Sequence, residues 1–383
     1  MATATKSPIS ELQALGQSVW LDNISRKILN NGELKGLIIN DGLQGVTSNP
    51  TIFDKAITSS SDYDAAIKKA VAVGADADGI YQTLTIADIQ EALDLFRPLY
   101  DATNGEHGFV SLEVSPYLAH NTTGTQREAK ELWEKLNRPN ALIKIPGTPE
   151  GLPAIEESLF AGISVNVTLL FSVDAYEAVA HAYVRALKRR NDAGLPVDRV
   201  SSVASFFVSR IDAEVDSRID EKLKTETNPA TRKALEALEG TVAIANAKNA
   251  YAVFQKIFEG PEFAPLRAKG AKVQRLLWAS VGVKNLQKYR DTLYIDELAG
   301  PDTVSTMPPA TLDASRARAK VRSALTEDMP GARTLIDSLA GFGIDFTDVT
   351  DKLLRDGVKS FSASFDTLMA GIKAKREAML AAK

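Results

Sequence analysis

The chain has 383 residues, of which 44% are hydrophobic and 25% charged, with 45 Lys+Arg against 49 Asp+Glu for a formal net charge of −4. That balance excludes a disordered tail protein, a coiled coil and a disulfide miniprotein, and it offers no basic field for nucleic acid or an anionic membrane. The absence of cysteine removes thiolate catalysis and cysteine-ligated metals, and three histidines (His107, His120 and His181) do not make a histidine-rich metal site. The first residues hold one lysine with no apolar run behind it, unlike a secretory signal. No stretch reaches the roughly 18 apolar residues that a membrane span needs. A cytoplasmic protein is expected.

In chain order, short apolar runs rich in β-branched residues occur at 19–21, 45–47, 109–114, 141–145, 165–170, 203–208, 273–278 and 303–306. Helical patterns lie between them. The clearest is 174–190, where Tyr176, Val179, Ala180, Tyr183 and Leu187 share a face and basic residues gather at the C-terminal end. Strands alternating with helices predict a parallel sheet, and eight such units predict a (β/α)8 barrel, although periodicity alone leaves an open sheet possible. A barrel takes about 250 residues, which leaves more than a hundred for extra helices. These fall in the block 55–96 and in a tail from 312 to 383, predicted to be broken at Met329-Pro330-Gly331 and Gly341-Phe342-Gly343. With no linker and no repeat, one decorated domain is expected, with a core at about 18–310 and C-terminal helices over 311–383.

In such a barrel, chemistry gathers at the C-terminal ends of the strands. The runs end in or carry Asp22, Thr47-Ser48-Asn49-Pro50, Glu113, Lys144, Asn166 with Thr168, Ser209-Arg210 and Ser280, and Lys284 lies just beyond the last of these. Lys144 stands alone in Ala-Leu-Ile-Lys-Ile-Pro. A buried ammonium is costly unless it is paired or sheds its proton, and the neutral amine is the form that attacks a carbonyl. A structural ion pair, for instance with Glu113, explains the segment equally well. Asp22 and Glu113 could supply proton transfer. The ordinary role for Asp22 is a helix cap, whereas Glu113 sits in a strand interior, which disfavours glutamate. Arg210 suits a phosphate clamp, or else pairs with Asp212 or Glu214 at a helix start. His107 and His181 read as structural, and His120 as a loop residue with no evident partner.

These residues together resemble the transaldolase family in its longer bacterial form. The resemblance rests on Val19-Trp20-Leu21-Asp22, Gly45-Val46-Thr47-Ser48-Asn49-Pro50-Thr51-Ile52-Phe53, Ser111-Leu112-Glu113-Val114 and Leu142-Ile143-Lys144-Ile145-Pro146. It continues through Asn166-Val167-Thr168-Leu169-Leu170-Phe171-Ser172 and Phe207-Val208-Ser209-Arg210. The resemblance implies a (β/α)8 barrel of the pentose phosphate pathway with no metal or cofactor. It further implies transfer of a dihydroxyacetone unit from fructose 6-phosphate or sedoheptulose 7-phosphate to an aldose phosphate such as erythrose 4-phosphate or glyceraldehyde 3-phosphate. By position, Lys144 matches the Schiff-base lysine, Glu113 and Thr168 the pair that holds a catalytic water, and Asp22 the acid/base. Thr47, Asn49 and Asn166 match the groups that bind donor hydroxyls, Ser205 and Phe207 line the site, and Arg210 binds phosphate. Shorter transaldolases place a second phosphate-binding arginine two residues after the serine that ends strand seven. Here that serine is Ser280, the position holds Gly282, and the nearest basic residue is Lys284.

Fructose-6-phosphate aldolases share the barrel and the lysine but carry Gln where this chain has Glu113 and Tyr where it has Phe207. Both positions favour the transferase. A sugar-phosphate-binding barrel without catalysis would be expected to lack Lys144, Glu113 or Asp22, and all three are present. Sugar phosphates are the expected partners of a monomer or homodimer, with neither nucleic acid nor membrane involved.

Overall fold

The computed structural model describes residues 7–381. Residues 1–6, which bear on the reading of the N-terminus as no export signal, and residues 382–383 lie outside the described residues. The eight runs become β1 (Gln17–Leu21), β2 (Gly45–Val46), β3 (Phe109–Glu113), β4 (Ala141–Pro146), β5 (Val165–Leu170), β6 (Ser202–Phe207), β7 (Arg275–Ala279) and β8 (Thr303–Met307). All neighbours are parallel, and β8 returns to β1 with Gln17 opposite Thr303 and Leu21 opposite Met307, which closes the barrel. The open sheet is thereby excluded. Every strand residue is buried, as expected for a parallel sheet covered on the outside by helices.

Two irregularities shape the barrel. At Gly45 the indole of Trp20 packs so closely that an added Cβ would lie 2.6 Å from its ring. Glycine is required there by close approach rather than by a turn. In β5, Val167 faces Ala204 but Leu170 faces Phe206, so three residues span what two span on β6. This bulge puts Leu169 at φ 61°, in the left-handed region, at a cost of roughly 1–2 kcal/mol. Bulges of this kind re-aim side chains beside active sites, and Leu169 follows Thr168 directly.

The N-terminal end of the barrel is closed by a polar cluster. Arg275 donates to Ser18 Oγ at 2.8 Å, and Ser18 Oγ lies 3.0 Å from His107 Nδ1. Burial, followed by the nearby Arg275 guanidinium, pushes His107 down to about 4 from 6.5. The unfolded chain therefore takes up this proton first as pH falls. Stability that is fully present above pH 6.5 is lost on descending towards 4, by at most about 3 kcal/mol. The variant His107→Gln is expected to lose less Tm than the wild type between about pH 7 and pH 5. Parallel curves would contradict the assignment.

The extra block forms helices Pro50–Thr58, Asp64–Ala72 and Ala77–Ala102, and the pattern at 174–190 is the helix Val173–Asp192. The expected break at Met329-Pro330-Gly331 is instead the start of helix Met329–Ser338. Proline is tolerated in a first turn because its missing N–H would have no partner there, and Asp328 caps the Gly331 N–H at 3.1 Å. The break at Gly343 holds, with φ 67°, and the C-terminal helix Phe346–Ala381 follows.

That helix packs along Pro50–Thr58. Thr51 Oγ1 donates to Ser364 Oγ at 2.8 Å, and Lys375 donates to Ser60 O at 2.6 Å and Asp64 at 2.7 Å. Further back, Lys352 reaches Glu214 at 3.0 Å and Arg218 reaches Asp348 at 2.7 Å. Gly357 passes Leu169 so closely that a Cβ would meet Leu169 Cδ2 at 3.0 Å.

Candidate active site

The site is built from strand ends. Register places Glu113 beside Lys144 and Lys144 beside Asn166, which brings β3, β4 and β5 side chains into one row. Lys144 is 5% exposed. Its ammonium donates to Ser48 O at 3.1 Å and lies 3.2 Å from Glu113 Oε2. The Glu113 contact is an ion pair without hydrogen-bond alignment, and neither Glu113 oxygen has a hydrogen-bond partner in the protein. Thr168 Oγ1, fully buried, also lacks one. A buried polar atom left unpaired costs about 1–3 kcal/mol, so Glu113 Oε1 and Thr168 Oγ1 are poised for a water or a substrate hydroxyl, while Oε2 faces the Lys144 ammonium. Burial raises the Glu113 carboxyl above its ordinary value, Lys144 opposes the rise, and the like charge of Asp22 adds to it.

Asp22 is half-buried and accepts from Thr47 Oγ1 at 2.6 Å. Thr47 Oγ1 is in turn 2.6 Å from Thr306 Oγ1, which is left as the donor of that pair. Asp22 caps no helix; the next one, Arg26–Asn30, has Ser25 at its N-cap. Burial raises its carboxyl too, against the opposing pull of Lys144, Thr47 and Lys284. Asn49 does cap a helix. Its Oδ1 accepts from Ile52 N–H at 3.0 Å, and Pro50 follows in the first turn. The Thr-Ser-Asn-Pro segment thus reads physically as strand end, cap and helix start.

A cavity of about 210 Å³ opens above Lys144, lined by Asp22, Thr47, Asn49, Lys144, Thr168, Ser205, Phe207, Arg210 and Ser280 from the sequence reading. Glu113, Asn166 and Lys284 are not in that lining. Glu113 reaches the site through Lys144. Asn166 lies fully buried below, donating to Ser111 Oγ at 3.0 Å and accepting from Ser205 Oγ at 2.7 Å. Lys284 is exposed. Partial desolvation, then Arg210, pushes its ammonium down, while Asp22 holds it up. Ser280 sits at φ 55°, with its hydroxyl 3.0 Å from Ser209 Oγ.

Arg210 makes no ion pair among the described residues. Its guanidinium lies 5.5 Å from the Phe207 ring centre. The ordinary alternative is not taken up. Asp212 accepts from Tyr294 Oη at 2.8 Å and Ala243 N–H at 2.7 Å, and Glu214 pairs with Arg218 and Lys352. A half-buried arginine with no carboxylate beside it, facing a cavity, is suited to an anion. His120 has a partner after all, Glu150 at 3.0 Å, on the exposed surface.

Thr51, Ile52, Lys55, Ala279, Thr306 and Phe361 also line the cavity and were not foreseen. Continuing the helix from the Asn49-Pro50 cap would have found Lys55, since Thr51, Ile52 and Lys55 share a face at helical spacing. No local pattern pointed to Phe361.

The transaldolase/fructose-6-phosphate aldolase family model matches residues 19–372. Among curated proteins the chain is 46% identical over 368 residues to "Transaldolase 2" of Nostoc sp. (strain PCC 7120), covering 95% of this chain and 96% of that protein. It is 45% identical over 370 residues to "Transaldolase" of Saccharopolyspora erythraea, covering 96% and 98% of the two chains. It is likewise 45% identical over 376 residues to "Transaldolase" of Mycobacterium ulcerans, covering 98% of each.

Proposed function

The chain belongs to the transaldolase/fructose-6-phosphate aldolase family and its function is that of a transaldolase, a transferase; on that premise we propose that it moves a dihydroxyacetone unit between sugar phosphates through a Schiff base on Lys144. The observation that carries this reading is a buried strand-end lysine paired with Glu113 Oε2, with Glu113 Oε1 left without a partner and the unpartnered Thr168 Oγ1 in the lining of the same cavity as the lysine.

The Lys144 amine attacks the donor ketone carbon, and loss of water gives an iminium. Asp22 takes the proton from the hydroxyl on the next-but-one carbon, the carbon–carbon bond breaks, and an aldose phosphate leaves. The enamine left on Lys144 then attacks the acceptor aldehyde, with Asp22 returning its proton. Glu113 and Thr168 hold the water that exchanges protons as the iminium forms and hydrolyses. Thr47 and Asn49 bind donor hydroxyls, and Asn166 with Ser205 and Ser280 supports the wall around them. Sugar phosphates are the partners of this enzyme, a cytoplasmic monomer or homodimer. No helix among the described residues is long and apolar enough to cross a membrane. Core and C-terminal helices act as one unit, since Phe361 joins the cavity wall.

The phosphate is held by Arg210, with Lys55 in the lining of the same cavity and Lys284 near enough to feel the Arg210 charge. A charge-assisted contact is worth about 1.5–3 kcal/mol, so Arg210→Ala should raise KM for fructose 6-phosphate by roughly 10- to 150-fold. Lys55→Ala should raise it less. Steady-state kinetics that leave KM unchanged for Arg210→Ala would move the phosphate elsewhere.

The deciding assay follows glyceraldehyde 3-phosphate release from fructose 6-phosphate with and without erythrose 4-phosphate. Release that requires the acceptor, matched by sedoheptulose 7-phosphate, supports transfer. Release of free dihydroxyacetone without an acceptor would mean an aldolase, and no turnover would mean a binding barrel.

A further inference from the structure

We propose that Phe361, brought to the barrel mouth by the C-terminal helix, decides whether the three-carbon unit on Lys144 is transferred or hydrolysed. This rests on the Schiff-base reading of Lys144. The Phe361 ring centre lies 5.5 Å from Lys144 Nζ, the side chain is 5% exposed, and it lines the cavity with Thr168 and Phe207.

Its position is fixed from three sides. One turn before it, Gly357 is fitted against Leu169 at the β5 bulge. Three residues after it, Ser364 accepts from Thr51 on the wall of the same cavity. Four residues after it, Phe365 meets Tyr81 and Tyr117 edge-on, with ring centres 5.2 and 5.5 Å apart. A helix this firmly keyed holds an aromatic ring over the reacting nitrogen as a fixed part of the wall.

After donor cleavage, Lys144 carries an enamine that has two fates. Attack of its carbon on an acceptor aldehyde forms the new carbon–carbon bond and regenerates an iminium. Alternatively, the carbon takes a proton from water, and a second water adds to the resulting iminium carbon. The carbon–nitrogen bond then breaks, giving dihydroxyacetone and free lysine, with no oxidant or reductant involved. The two outcomes differ in the access of water to two carbons, the nucleophilic carbon of the enamine and the carbon bound to Nζ. An apolar ring over Nζ keeps bulk water from both and favours the cationic iminium through its π face.

The experiment compares wild type, Phe361→Ala and Phe361→Leu by the ratio of free dihydroxyacetone to sedoheptulose 7-phosphate formed from fructose 6-phosphate and erythrose 4-phosphate. Borohydride trapping and circular dichroism are run alongside. The ratio is expected to rise about tenfold in Phe361→Ala and about threefold in Phe361→Leu, the order set by how much of the cover remains. A role confined to packing would lower total turnover and Tm without moving the ratio. An unchanged ratio in a folded Phe361→Ala overturns the proposal; if that variant does not fold, an unchanged ratio in Phe361→Leu does so. Failure of borohydride to trap the donor on wild-type protein would instead sink the Lys144 reading on which this one depends.

Discussion

Lys144→Ala is expected to abolish transfer, lowering kcat by about 10⁴-fold or more, and to remove the borohydride-trapped donor adduct that the wild type forms. The loss has no bypass, because no other lysine stands beside Glu113 in the β3–β4–β5 row. The fold should survive. Removing one member of a buried ion pair typically costs 3–5 kcal/mol because a charge is left unpaired. Here the carboxyl left behind is one that burial already pushes towards its neutral form, so Glu113 can protonate and limit the damage. The readouts are mass spectrometry after reduction and a melting curve. Adduct formation at the wild-type rate in the variant would refute the assignment of the lysine.

Glu113→Gln is the second large effect. A positioned carboxylate contributes about 10²–10⁴ to a proton-transfer step, so kcat should fall about 10²–10³-fold while KM stays near its wild-type value. The pH profile separates this from a loss of packing. Burial raises the carboxyls of both Glu113 and Asp22, and the charge of Asp22 raises Glu113 further. Activity that needs them ionised is present at high pH and lost as pH falls through their raised, coupled values. In Glu113→Gln only Asp22 remains to titrate, and the carboxyl that burial and Asp22 together push upward is gone, so the acidic limb should move to lower pH and become less steep. A profile identical in shape to the wild type would remove Glu113 from the proton path.

The barrel could be read from the sequence because a parallel sheet buried on both faces leaves continuous apolar runs, and each of the eight runs lies on a strand. The ends of those runs were equally informative. A polar residue where a buried strand stops has to face something, and Asp22, Thr47, Lys144 and Thr168 all face one cavity. The tail was harder to read. Pro330 looked like a break because proline ends helices, yet the same ring fits a first turn, and only the Asp328 cap tells the two apart. Phe361 was illegible for a deeper reason. It shares its cavity wall with Lys144 of β4 and with Thr51 and Ile52 of helix Pro50–Thr58, and long-range packing of a uniform amphipathic helix leaves no local trace. The left-handed Leu169 was hidden likewise, since nothing in a run of apolar residues marks which one bulges.

The hydrogen bond between Thr51 and Ser364 ties together residues 313 positions apart. On a ribosome, that distance becomes time. The barrel can close once β8 has emerged, but the helix that covers its mouth is the last element of the described chain to be made. Contacts of such long sequence separation form late and slowly. In that order Asp22, Glu113, Lys144 and Arg210 have all been made before Phe361. The order of synthesis puts completion of the cavity wall after the barrel itself.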